Sequence, residues 1–146
     1  MKLLIDTNIA LTYLSGRDDP YKEASGQILK LCAEERIEGY LAFHSLSTIW
    51  YVTRRLPDEL RREWLRQLCL LLTIIGADNE AVLKAVDNPA FTDFEDNLQD
   101  CCAQSADADY IVTGNVKDFQ NVSAVRAVTP VELLEILSLE DLADDQ

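Results

Sequence analysis

The chain has 146 residues, enough for one domain with a proper core, and its 48% hydrophobic and 27% charged residues are ordinary for a globular protein. A formal net charge of −13 argues against unassisted binding to nucleic acid, because attraction to phosphate supplies most of such affinity. It leaves room for an acidic metal site or a basic partner.

The chain opens on Lys2 to Ile5, a short apolar run that reads as a buried parallel strand. The run is too short for a signal peptide, and no apolar stretch approaches the roughly 20 residues that span a bilayer, so a cytoplasmic protein with no membrane segment is expected. Asp6-Thr7-Asn8 supplies cap residues for a helix through Leu14, and Ser15 to Pro20 forms a loop. Ala24, Ile28, Leu31 and Cys32 recur at helical spacing between Tyr21 and Glu35, and Gly39 introduces a strand over Tyr40 to Phe43. His44-Ser45-Leu46-Ser47 reads as a strand-to-helix turn with a serine as N-cap. Leu46, Ile49, Trp50 and Thr53 then share one helix face. Pro57 suits the first turn of the next helix, whose stripe is Leu60, Trp64, Leu65, Leu68 and Leu71. Thr73 to Ile75 is a strand, Asn79 to Val86 a helix, and Phe91 to Ser105 leads through another helix to a strand at Tyr110 to Val112. A weak strand at Arg126 to Val128 and a helix from Pro130 to Leu137 complete the pattern. Strands alternate with helices throughout, which predicts a three-layer α/β/α sandwich on a central, mostly parallel sheet of about five strands. Residues 1–138 form a single domain in this reading, and 139–146 an acidic tail that frays.

The four cysteines, Cys32, Cys69, Cys101 and Cys102, have no zinc-ligand spacing and read as buried free thiols on apolar helix faces. Asp6 ends the first strand, and Asp96 lies in the first turn of the helix before the fourth. In a parallel sheet these two carboxylates can share one edge, and oxygen ligands of this kind suit a hard divalent cation. Structural alternatives exist for each acid. Thr92-Asp93-Phe94-Glu95 fits a capping box with Thr92 as the cap; Asp93 and Asp96 then favour the positive end of a helix; Asp6 caps its own helix. Asp100, one turn after Asp96, reads as a solvated face residue.

Three motifs in order, Asp6-Thr7-Asn8, Asp93-Phe94-Glu95-Asp96 and the run from Ala108 to Phe119 (ADYIVTGNVKDF), resemble the PIN-domain family of VapC-like metal-dependent ribonucleases. The resemblance extends from Lys2 to about Leu134. It implies an Mg²⁺- or Mn²⁺-dependent endoribonuclease acting on RNA, with an antitoxin protein as partner where the family member is the toxin of a toxin–antitoxin pair. Asp6 matches the first acid of the family and Asp96 the third, which makes these two the implied metal ligands. Asn115 stands where many members carry a fourth acid, with Asp118 three residues on. Asp6, Asp96, Asn115 and Asp118 are therefore the implied catalytic set, and Thr48, Thr113, Asn8, Glu95 and Asp93 the implied supporting residues. The departure is in the helix after the second strand: Ser45 to Tyr51 contains no carboxylate, and Thr48 stands at the place of the second acid. A catalytically impaired PIN-fold protein that binds nucleic acid or regulates is thus the competing reading.

His44, the one histidine, is read either as a proton shuttle or phosphate contact or as a rim and capping residue. The group Arg54, Arg55, Arg61, Arg62 and Arg66 is read either as a hold on RNA backbone or an acidic partner, or as ion pairs with Asp58, Glu59 and Glu63 at helical spacing. Gly114 stands alone, so no phosphate-cradling glycine loop supports a flavodoxin-like binder. The apolar stripes of the two middle helices exceed what one sheet face buries; together with the way family members associate, this leads to the expectation of a homodimer.

Overall fold

The computed structural model describes residues 1–144. Strands β1 (Lys2–Ile5), β2 (Glu38–Ala42), β3 (Thr73–Ile75), β4 (Tyr110–Val112) and β5 (Ala127–Val128) form one sheet in the order β3-β2-β1-β4-β5. Every pairing is parallel. The chain winds outward from β1 to β3, then returns to lay β4 and β5 on the other side of β1. The strand order therefore reverses between β1 and β4, which is where an open parallel sheet forms a crevice at its carboxyl edge.

The alternation of side chains along each strand divides the core between the two faces. Leu3, Ile5, Leu41, Val112 and Val128 face one way, against Ile9, Ala10 and Leu11 of α1 (Thr7–Ser15) and Ile28, Leu29 and Cys32 of α2 (Lys22–Ala33). Ile49 of α3 (Phe43–Val52), Leu68 of α4 (Asp58–Leu71) and Leu133 of α7 (Pro130–Asp144) join the same cluster. Leu4, Ala42, Ile111 and Ala127 face the other way, against Cys102 and Ala103 of α6 (Phe94–Ser105) and against Phe119. The three-layer sandwich is thus as the sequence predicts. The remaining helix, α5 (Asn79–Val86), is tied to α6 by Asn97, whose side-chain amide donates to the Ala85 carbonyl at 2.6 Å. Gly39 lies tight against the side chains that cover β2: a Cβ there would lie 2.5 Å from Leu72 Cδ2 and 2.7 Å from Cys32 Sγ, so a larger residue would force those side chains to shift.

Several local expectations change. Phe43 is not the end of β2 but the first residue of α3, with Ala42 as N-cap and no side-chain cap bond. Neither serine caps that helix, because Ser45 points inward to a polar cluster described below. Asp93, not Thr92, caps α6, accepting from Glu95 N at 2.8 Å. Asp100 is buried rather than solvated. It accepts from Ala124 N, Val125 N and Gln104 Nε2 at 3.0, 3.0 and 3.1 Å, and so clamps the loop that enters β5. Cys69 is exposed, while Cys32, Cys101 and Cys102 are buried; all four are free thiols. The last helix passes Leu137 and runs to Asp144, and Asp145 lies outside the described residues. Among the described residues no helix is long and apolar enough to cross a membrane.

Candidate functional site

Asp6 follows the last residue of β1, and its backbone N–H still pairs with Val112 O of β4 at 3.0 Å. This fixes the carboxylate over the reversal between β1 and β4. One oxygen accepts from Thr7 N at 2.8 Å and so caps α1; the other accepts from Thr113 Oγ1 at 2.7 Å. Thr113, fully buried at the end of β4, in turn accepts from Asn115 N at 3.0 Å. A threonine at that position thus links the ends of both strands through one hydroxyl. Burial raises the Asp6 pKa against the bonds from Thr113 and Thr7, and the charges of Glu95 and Asp93 raise it further.

Helix α6 brings the other acids. Its first turn carries Glu95 and Asp96 behind the Asp93 cap, at the end where the helix dipole favours negative charge. Asp96 is nevertheless pushed up to about 7, first by burial and then by Asp93, Asp6, Asp118 and Glu95. Four further carboxylates, from the end of β1, the start of α6 and the 3₁₀ turn Val116–Asp118, therefore lie close enough for their charges to act on Asp96. A groove of about 370 Å³ runs beside them, lined among others by Asp93, Asp96, Lys117 and Asp118. A larger cleft of about 600 Å³, lined by Asp78, Lys84, Asp100 and Gln104, lies further along α6 and shares none of these acids.

Not every expected residue joins. Asn115 and Asn8 are exposed, and neither side chain makes a hydrogen bond among the described residues; only the Asn115 backbone serves Thr113. Asp118 is exposed and contributes charge rather than a contact. Thr48, on the α3 wall, donates at 3.4 Å to His44 O or to Glu95 Oε1. His44 sits beside it, half-buried, with Nε2 unpartnered; burial lowers its pKa against the charge of Glu95.

A polar floor lies under the acids that sequence reasoning missed. Thr7 Oγ1 and Ser45 Oγ are 2.7 Å apart, and Gln99 Nε2 donates to both at 3.0 Å. Gln99 is fully buried, three residues after Asp96 on the same helix. A glutamine among Cys101, Cys102 and Ala103 was the available signal, since a helix face turned to the sheet should otherwise be apolar.

The arginines are largely spoken for. Arg61 is buried, stacked 3.5 Å over the Trp50 ring, and bonded to Asp58 at 3.2 Å and to Trp50 O. Arg66 pairs with Glu63, Arg54 lies over Tyr51 and Arg62 over Trp50. Ion pairing and stacking inside the α3–α4 hairpin thus account for most of the group.

The sequence matches the PIN domain family over residues 2–117. The chain belongs to the PIN domain family. No curated protein matches it. Solved structures share the PIN fold at low identity. VapBC2 from Rickettsia felis, bound to a promoter DNA fragment, has a TM-score of 0.70 at 17% identity, covering 88% of this chain and 98% of that one. FitAB bound to a DNA fragment gives 0.67 at 15%, covering 88% and 94%. A toxin–antitoxin complex from Klebsiella pneumoniae gives 0.64 at 20%, covering 88% and 97%. These likenesses concern the fold; the acids at this PIN edge stand on the geometry above.

The donors at that edge are carboxylates and hydroxyls, the oxygen set that hard divalent cations take. Among the described residues no group of three or more His, Cys, Asp and Glu is drawn together into a ready-made cage. Burial first, and then the neighbouring carboxylates, raise the pKa of Asp96, so bringing these acids closer together is unfavourable until positive charge enters. An ion held by few carboxylates, with its remaining positions open to water or phosphate, is the arrangement this donor set fits.

Proposed function

We propose that this PIN domain is an Mg²⁺- or Mn²⁺-dependent endoribonuclease that hydrolyses RNA phosphodiester bonds, and the toxin of a toxin–antitoxin pair acting in the cytoplasm. The observation that carries the reading is Asp6: a buried carboxylate at the strand-order reversal, aimed by Thr7 and Thr113, and facing acids that raise its pKa. Asp6 and Asp96 hold the ion. Its chemistry there is to acidify water and to offset phosphate charge during in-line attack. Thr113 fixes the Asp6 carboxylate so that little reorganisation is needed. The groove beside Asp93, Asp96 and Asp118 receives the RNA strand, with Lys117 as the cation lining it. Exposed Phe43, Tyr51, Val52 and Leu60 on α3 and α4 offer apolar contact to a second copy of the chain or to an antitoxin segment.

A second reading, a PIN fold without catalysis, is favoured by the Thr48 hydroxyl on the wall where a carboxylate would add charge. Incubating the purified chain with single-stranded RNA separates the two. Slow cleavage in Mn²⁺, none in EDTA and none by Asp6→Asn is the expected result. No cleavage by the parent protein under any divalent ion favours the non-catalytic reading.

A further inference from the structure

We infer that Gln99 is a positioning residue of the site: through one side-chain amide it locks α6, which carries Asp96, onto α3 and onto the start of α1 beside Asp6. The inference rests on the metal-dependent reading above, and its basis is the polar floor beneath the acids. Gln99 is fully buried, and its Nε2, which carries two hydrogens, donates to Thr7 Oγ1 and to Ser45 Oγ, each at 3.0 Å. Those two hydroxyls are themselves 2.7 Å apart, so α1, α3 and α6 meet in one closed triangle of hydrogen bonds. Each corner leads to a residue of the site. Thr7 donates its backbone N–H to Asp6 Oδ1 at 2.8 Å. Gln99 follows Asp96 by three residues and Ser45 precedes Thr48 by three, a spacing that puts both members of each pair on one helix face.

The floor is not what stability alone would select. Gln99 Oε1 is buried and has no hydrogen-bond partner among the described residues. An unpaired buried acceptor carries a desolvation cost that an apolar side chain of the same size avoids. Cys102 and Ala103, next on the sheet-facing side of α6, are apolar, so an apolar residue at 99 would complete that face. The glutamine is explained by what it holds. Asp6 and Asp96 come from elements far apart in the sequence, and two like charges favour separation until an ion arrives. The triangle opposes that separation, as the outer partners of metal ligands do when they fix ligand orientation.

Gln99→Met removes the amide and keeps an unbranched side chain of similar volume. Mn²⁺ titration of the metal-free full chain by calorimetry, and urea unfolding of the same protein, give two independent readings without relying on cleavage. The expected result is Mn²⁺ affinity lower by about 10-fold or more, the usual effect of removing an outer partner of a metal ligand. The urea midpoint should equal or exceed that of the parent, since the orphaned acceptor is gone. The paramagnetic resonance spectrum of bound Mn²⁺ should change as well, because it follows ligand geometry. Ser45→Ala should weaken binding less, and should add nothing in the Gln99→Met background, because residues acting as one unit are not additive. Asp6→Asn is the control. Parent affinity and an unchanged spectrum in Gln99→Met, with binding lost in Asp6→Asn, overturn the role of Gln99 and leave the metal site standing. A loss of affinity that comes only with a lower urea midpoint also overturns it, assigning Gln99 to the fold. Should Gln99→Met fail to fold, Ser45→Ala decides alone: weaker Mn²⁺ binding at the parent's midpoint upholds the inference, and parent affinity overturns it. Absence of Mn²⁺ binding to the parent chain overturns both this inference and the reading it rests on.

Discussion

Asp6 caps a helix with one oxygen and accepts a strand-end hydroxyl with the other, so its structural and its proposed chemical roles rest on the same geometry. Much of this was readable in the sequence: an acid closing an apolar run, and a threonine closing another, meet if the two strands are neighbours. The floor of Thr7, Ser45 and Gln99 was not, because it joins residues 38, 54 and 92 positions apart and no local pattern marks such a contact. Asp96 yields a prediction about pH. Its folded-state pKa of about 7 stands above the ordinary 3.8, so the native protein keeps a proton that the unfolded chain has released. The resulting stability is present below about 4 and lost as pH rises through about 7. Melting temperatures of the metal-free protein, taken between these limits, should fall with pH more steeply than those of Asp96→Asn. Parallel slopes would contradict the raised pKa. Mn²⁺ should stabilise increasingly over the same range, because it needs the deprotonated carboxylate.

At the scale of elements, the strands and the α5 and α6 helices lie close to where periodicity places them, and the errors fall at the starts of α3 and α6, at the end of α7 and at the buried Asp100. Phe43 reads as strand because it is aromatic and follows Leu41 and Ala42, yet its exposed ring opens α3. Thr92 reads as a cap from its spacing to Glu95, but Asp93 is an equally good cap one residue later and holds the Glu95 amide. Asp100 could not be told from a surface acid, since its partners Ala124 and Val125 arrive from a distant loop. That clamp predicts a stability effect. Asp100→Ala leaves two loop amides without their acceptor and should cost about 3 kcal/mol, measured by urea unfolding. A change under about 0.5 kcal/mol, the usual range for a surface substitution, would show the clamp to be dispensable.

For the molecule as a whole, alternating elements predict the parallel sheet and its two covers, but strand order is a long-range property. The placement of β4 against β1, on which the site depends, became visible only in the fold. The net charge of −13 bears on RNA at this scale. An edge of five carboxylates repels phosphate until a cation intervenes, so RNA affinity should be weak in EDTA and rise with Mg²⁺. Filter binding to a cleavage-deficient Asp6→Asn chain would confuse loss of metal with loss of RNA, so the comparison belongs to the parent chain and a non-cleavable RNA analogue. Equal affinity in both buffers would contradict a metal-bridged mode. The central claim, that Asp6 and Asp96 hold a divalent ion, is tested most directly by crystals of the parent chain soaked in Mn²⁺, with anomalous scattering used to locate the metal. An anomalous peak bound by carboxylate oxygens of Asp6 and Asp96 is the predicted result; Mn²⁺ sites elsewhere on the surface and none at Asp6 would contradict it.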